Sequence, residues 1–298
     1  MKKLHRMLLC LLFLTATSFA ESRIQTGSFY SPSVHDSMHV VILLPLHYDH
    51  SRRYPVLFLL HGYGGNQNDW TNLTHLEVYT ERLALMVVMP EANNSWYINS
   101  QTDRNARYED YIIHDLPKFV DSHFPIDTTR EAIAGLSMGG YGALVLALRH
   151  PDKFLFAGDL SGAITIPAVI DSVLAHPHSP IPGDQGPIYP SIVKAFGDKN
   201  RKFRDDHNVF VLLQRERADS LPYIFCAVGI QDGYKDFLPA HRIFTNLLRE
   251  FGKLYEYHEV PGVHNWKFWD EEIQPLLMRM KIVMKLDLSC DSWGCPTH

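Results

Sequence analysis

The chain has 298 residues, of which 46% are hydrophobic and 20% charged, and its formal net charge is −5. Such a chain can bury one sizeable core and has the composition of an ordinary soluble globular protein. An acidic balance without a basic block also argues against nucleic acid as a partner.

Residues 1–20 stand apart from the rest. Lys2, Lys3 and Arg6 form a basic start, Met7 to Ala16 an apolar run, and Ser18-Phe19-Ala20 supplies small residues where signal peptidase cuts. The run is too short to span a bilayer, so removal on export is expected rather than stable membrane insertion. Cys10 lies inside this run, which argues against a lipoprotein. Cleavage would take away three positive charges and no acid, moving the formal charge from −5 to −8. Export also leads to an oxidising compartment, where Cys290 and Cys295, closing a short loop in the tail 287–298, are expected to pair. Cys226 sits in an apolar run and reads as a small buried hydrophobe.

Two strands are expected first, Arg23 to Tyr30 and Ser37 to Leu44, the second stopped by Pro45. Tyr54 to Leu60 is nearly all apolar, as in a strand covered on both faces. It breaks into His61-Gly62-Tyr63-Gly64-Gly65-Asn66. That loop is either a tight turn or a set of uncrowded backbone N–H groups suited to an oxyanion. A helical stretch around His75 to Leu83 and a strand Ala84 to Met89 follow. The loop Glu91 to Asn99 then carries Trp96 and Tyr97, read as cleft-lining aromatics because open α/β sheets bind ligands at the carboxyl ends of strands. Tyr108 to Phe124 has helical periodicity and stops at Pro125.

Ala132-Ile133-Ala134 leads into Gly135-Leu136-Ser137-Met138-Gly139-Gly140 and a helix from Tyr141 to Leu148. A Gly-x-Ser-x-Gly turn between a buried strand and a helix lifts the serine hydroxyl to the sheet edge. A plain glycine-rich turn would give the same local pattern, so the remaining residues must decide.

A strand from Phe154 to Leu160 is followed by an excursion, residues 163–222, with five prolines between Pro177 and Pro190 and a partly helical stretch from Ser191 to Gln214. Long excursions of this kind often wall a site. His176 and His178 could ligate a metal with Asp184, but in a proline-rich loop the histidines read as surface residues, and no metal or organic cofactor is expected. A zinc site at the tail cysteines is disfavoured, His298 being the one further ligand nearby. Tyr223 to Val228 and Tyr255 to Val260 are the last strands, with helices Phe237 to Phe251 and Trp266 to Lys285. Strands alternating with helices predict a mostly parallel sheet with helices on both faces, in one domain spanning 21–286.

Serine needs a base, and the base needs an orienting acid. His264 follows the last strand, and Asp232 follows the strand before it. Ser137, Asp232 and His264 therefore come in the chain order that this architecture uses.

The His61–Asn66 loop, the Ser137 turn, the Asp232 turn and Gly262-Val263-His264-Asn265-Trp266 together resemble the esterase D-type α/β-hydrolases. That group includes S-formylglutathione hydrolases, tributyrin-type esterases, feruloyl and acetyl-xylan esterases, and mycolyltransferases. The resemblance covers roughly residues 24–285 and implies oxyanion donors at the Tyr63 and Met138 amides, with Ser95-Trp96-Tyr97 near the site. It implies hydrolysis of short-chain or aromatic acyl esters, free or glycan-linked. Acyl transfer and thioester hydrolysis are the alternatives on the same residues, and a silent glycan-binding protein is disfavoured because all three residue types are present. The export signal departs from the cytosolic thioester hydrolases of the group.

Overall fold

The computed structural model describes residues 22–167, 170, 188–198, 200–215 and 221–288. The expected export signal with Cys10, the residues His176, His178 and Asp184, and the tail with Cys290, Cys295 and His298 lie outside these. The strands are β1 (Ile24–Ser31), β2 (Asp36–Leu43), β3 (Tyr54–Leu60), β4 (Met86–Pro90), β5 (Ile126–Leu136), β6 (Phe156–Leu160), β7 (Tyr223–Gly229) and β8 (Tyr255–Val260). They join in one eight-stranded sheet of order β1-β2-β4-β3-β5-β6-β7-β8. β2 runs antiparallel to both β1 and β4, and from β4 to β8 every pairing is parallel. This is the α/β-hydrolase architecture in a single domain.

Every residue of β3, β4 and β6 is buried, which is why those segments read as continuous apolar runs rather than as alternations. Alternate residues nonetheless divide between two cores. Val56, Phe58, Leu60 and Ile133 point to one, shared with Tyr111, Val120, Leu144 and Phe244 of the helices on that face. Leu57, Leu59, Ala132 and Ala134 point to the other, shared with Trp70, Leu76, Ile273 and Met280. Each fully buried leucine or phenylalanine contributes roughly 1.5–3 kcal/mol through removal from water. β5 begins earlier than its apolar centre suggests, because Thr128 and Thr129 extend it while remaining exposed.

One helix is shorter than expected. The stretch around His75 to Leu83 is helical over Leu76–Tyr79. Thr80 Oγ1 donates back to the Leu76 carbonyl at 2.9 Å, and the Ala84 N–H donates to the Asp287 carbonyl at 3.0 Å, which draws the chain away from the helix axis. The predicted helix from Tyr108 holds to His123 but contains a π-helical turn at Tyr111–Asp115.

The parallel register brings the functional loops to one edge. Leu60 pairs with Gly135, Gly135 with Asp159, Leu160 with Ala227, and Gly229 with Val260. The residues that follow these positions therefore emerge side by side.

Candidate active site

Ser137 occupies the turn between β5 and the helix Met138–Arg149, with φ 52° and ψ −115°. That is a costly conformation for a residue with a Cβ, on the order of 1–3 kcal/mol, and it persists only where surroundings impose it. They do so here through the Ser137 N–H donating to the Leu160 carbonyl at 3.0 Å and the Ser137 carbonyl accepting from Ala163 N–H at 3.1 Å. The close strand–helix approach requires glycine at two positions. A Cβ on Gly135 would come within 2.5 Å of the Gly139 backbone, and one on Gly139 within 2.6 Å of the Leu60 and His61 carbonyl oxygens.

Asp232 and His264 are held by neighbouring loops. Gln231 laces them together: its N–H donates to the Gly262 carbonyl at 3.0 Å, and its side-chain oxygen accepts from the Gly262 N–H at 2.8 Å. Asn265 caps the helix Trp266–Val283 by accepting from Phe268 N–H at 3.1 Å, which fixes where His264 leaves the loop. His264 Nδ1 lies 2.9 Å from Asp232 Oδ2, and His264 Nε2 lies 2.9 Å from Ser137 Oγ. A carboxylate only accepts, so Nδ1 carries the proton and donates to Asp232, leaving Nε2 to accept from the Ser137 hydroxyl. The Asp232 side chain is 1% exposed and that of His264 13%, so the pair is sheltered yet the imidazole stays reachable. Asp236, the nearby alternative acid, instead accepts from Thr165 Oγ1 at 2.6 Å.

Three rings box the imidazole edge-to-face: Tyr234 at 4.7 Å, Trp269 at 5.0 Å and Phe237 at 5.6 Å between centroids. Sequence reading missed these residues. Their positions, in a turn and on two ordinary amphipathic helices, carry no local signal of that role.

The loop after β3 lies against the serine, since a Cβ on Gly62 would stand 3.6 Å from Ser137 Cβ. His61 anchors it. Its Nε2 accepts from Ala92 N–H at 3.0 Å while Nδ1–H donates to the Gly62 carbonyl at 2.7 Å, and burial pushes its pKa down against the pull of Glu91 and Asp69. Gly64 N–H donates to Asn94 Oδ1 at 2.7 Å, tying the same loop to the one after β4. Met138 opens its helix, so its N–H has no intrahelical acceptor.

Trp96 and Tyr97 require a correction. They are 1% and 0% exposed, buried behind the site rather than lining a cleft. Both have positive φ, as does Asn93, and these turns direct the two rings inward. Tyr97 packs against Gly142, where a Cβ would come within 2.5 Å of its ring, and its hydroxyl donates to the His61 carbonyl at 2.9 Å. Trp96 Nε1 donates to Ser191 Oγ at 3.1 Å. The open side of the loop belongs to Asn93, Asn94 and Ser95, which with Tyr108 and Lys194 line a cavity of about 300 Å³. Among the described residues, no group of three or more His, Cys, Asp or Glu could hold a metal ion, and no helix is long and apolar enough to cross a membrane.

The family description "Putative esterase" matches residues 31–280. An acetyl esterase of Caldicellulosiruptor saccharolyticus is 29% identical over 261 residues, covering 83% of this chain and 93% of its own. Among solved structures, the substrate-bound fluorophosphonate-binding serine hydrolase F of Staphylococcus aureus superposes with a TM-score of 0.72 at 25% identity, covering 86% of this chain and 97% of that one. A ferulic acid esterase superposes with a TM-score of 0.71 at 20% identity, covering 88% and 99%, and shares the fold.

Proposed function

The chain belongs to the esterase family, in its esterase D-type group, and from that membership we propose that it hydrolyses carboxylic esters through an acyl-enzyme on Ser137. The observation that carries this reading is His264, within 2.9 Å of both Ser137 Oγ and Asp232 Oδ2. His264 takes the serine proton as Ser137 Oγ attacks the ester carbonyl, and Asp232 holds the imidazole in the tautomer that can accept it. The Tyr63 and Met138 amides bind the oxyanion, the second reinforced by the positive end of its helix. Collapse expels the alcohol, which receives the proton from His264. Water, deprotonated by the same imidazole, then releases the acid.

Short-chain or aromatic acyl groups are the substrates favoured by this reading, with Thr165 held beside the site by its hydrogen bond to Asp236. Similarity to an acetyl esterase supports the short-chain class. The leader 1–20 directs export, and the mature protein begins near Glu21. A fluorophosphonate probe combined with a panel of acyl esters tests the assignment. Stoichiometric labelling of Ser137 and cleavage of acetyl over palmitoyl esters are expected; an unlabelled serine or a preference for palmitoyl esters refutes it.

A further inference from the structure

Beneath the Ser137 turn lies a second aspartate–histidine pair that the reaction above does not use. Asp159 on β6 and His241 on the helix Phe237–Glu250 are both 0% exposed, and Asp159 Oδ2 sits 2.9 Å from His241 Nε2. The carboxylate fills space left by two glycines. A Cβ on Gly140 would fall 2.3 Å from Asp159 Oδ1, and one on Gly162 2.2 Å. Gly140 is in the first turn of the helix that Met138 opens, so this carboxylate packs against the turn whose Met138 amide is the proposed oxyanion donor. Asp159 Oδ1 has no hydrogen-bond partner among the described residues.

Both nitrogens of His241 face acceptors, Nδ1 reaching the Phe237 carbonyl at 2.7 Å. Facing an ionised Asp159 and a carbonyl, an imidazole satisfies both only as the doubly protonated cation. Resting on the ester-hydrolase reading, we infer that His241 is a positioning residue which works as a buried imidazolium, cancelling the Asp159 charge against the turn of the proposed oxyanion donor. In a dry interior an uncompensated carboxylate there would oppose every increment of negative charge that develops at that donor. Against an ionised Asp159, a neutral His241 would also have to give up either Asp159 or the Phe237 carbonyl. That carbonyl belongs to the residue whose ring packs on His264.

The surrounding groups agree with a cation. Burial alone pushes the His241 pKa down, but the Asp159 charge and hydrogen bond, the Phe237 carbonyl and the more distant Asp232 outweigh it and raise the value. From β7, Cys226 pairs in register with Asp159, and burial together with that aspartate pushes its thiol pKa well up. On the same helix, Arg242 turns outward to Glu259.

The test is a charge-swap cycle read in kcat, KM and their pH dependence. Asp159→Asn keeps the hydrogen bonds, since its amide donates to a neutral His241 Nε2, and removes the charge. His241→Gln leaves the carboxylate bare. His241→Gln should lower kcat on the order of tenfold with KM within about twofold, while Asp159→Asn and the double variant stay within about threefold of wild type. Wild-type kcat should also decline on the alkaline side as His241 loses its proton, and Asp159→Asn should abolish that decline. Merely structural packing would not produce this rescue or move the pH limb. The inference is overturned if the double variant is no better than His241→Gln, or if the wild type shows no alkaline decline. If His241→Gln does not fold, persistence of the decline in Asp159→Asn overturns it alone. Complete absence of wild-type ester hydrolysis would remove the functional reading and this inference together, whereas activity with an unrescued cycle removes this inference only.

Discussion

At the scale of single residues, the proposed mechanism depends on three side chains acting as one unit. Ser137→Ala and His264→Ala should each reduce kcat on the order of 10⁴-fold or more, because losing either proton partner removes the whole relay. Thermal denaturation should show both variants folded, and a residual activity of a tenth would contradict the assignment. The two candidate acids separate more sharply. Asp232→Asn should cost on the order of 10²- to 10⁴-fold, since the amide would favour the wrong imidazole tautomer. Asp236→Asn should cost far less, because Asp236 accepts from Thr165 while the imidazole of His264 is held by Asp232. That Ser137, Asp232 and His264 come together at one sheet edge was legible in the sequence because each lies just beyond a strand, and strand ends are readable from apolar runs. Trp96 and Tyr97 were not, because the direction of a loop side chain is set by backbone dihedrals that composition does not reveal.

At the scale of elements, strand identity survived in the sequence better than helix length did. Fully buried strands leave an unbroken apolar run, whereas Thr80 and the pull of Asp287 on Ala84 shorten a helix through contacts distant in sequence. The π-helical turn at Tyr111–Asp115 likewise leaves no break in the periodic pattern. The loop after β3 offers a direct test of such long-range support. Tyr97→Phe removes the donor to the His61 carbonyl within a buried region, so it should cost about 1–3 kcal/mol in urea unfolding. The kcat should fall as well, because that carbonyl precedes the proposed oxyanion loop. Unchanged stability would show the hydrogen bond to be dispensable.

Across the whole molecule, a buried ionic cluster joins the excursion to the central helices. Glu109, with its side chain 5% exposed, lies 2.9 Å from Arg149 Nε and 2.8 Å from His150 Nε2. Arg149 also donates to the Asp206 carbonyl at 2.8 Å. Burial raises the Glu109 pKa, but His150, His207 and Arg149 together depress it well below the usual carboxylate range. A depressed folded-state value means the stabilising contribution is complete above the unfolded carboxyl value of about 4.3 and is lost as pH falls below it. Urea midpoints should therefore drop on acidification through that window, and Glu109→Gln, less stable at neutral pH, should show a shallower decline. An equally steep decline in the variant would place the acid sensitivity elsewhere.

β8 ends the sheet, and its neighbours make that end a poor template for further growth. Glu256 pairs with Arg279 and His258, His258 also with Glu272, and Glu259 with Arg242. A strand from another molecule adding alongside would have to strip water and counter-charges from this row, at a cost its new backbone hydrogen bonds would have to exceed. The ionic fringe thus guards against fibrillar stacking, a hazard that every open sheet with an unpaired margin carries.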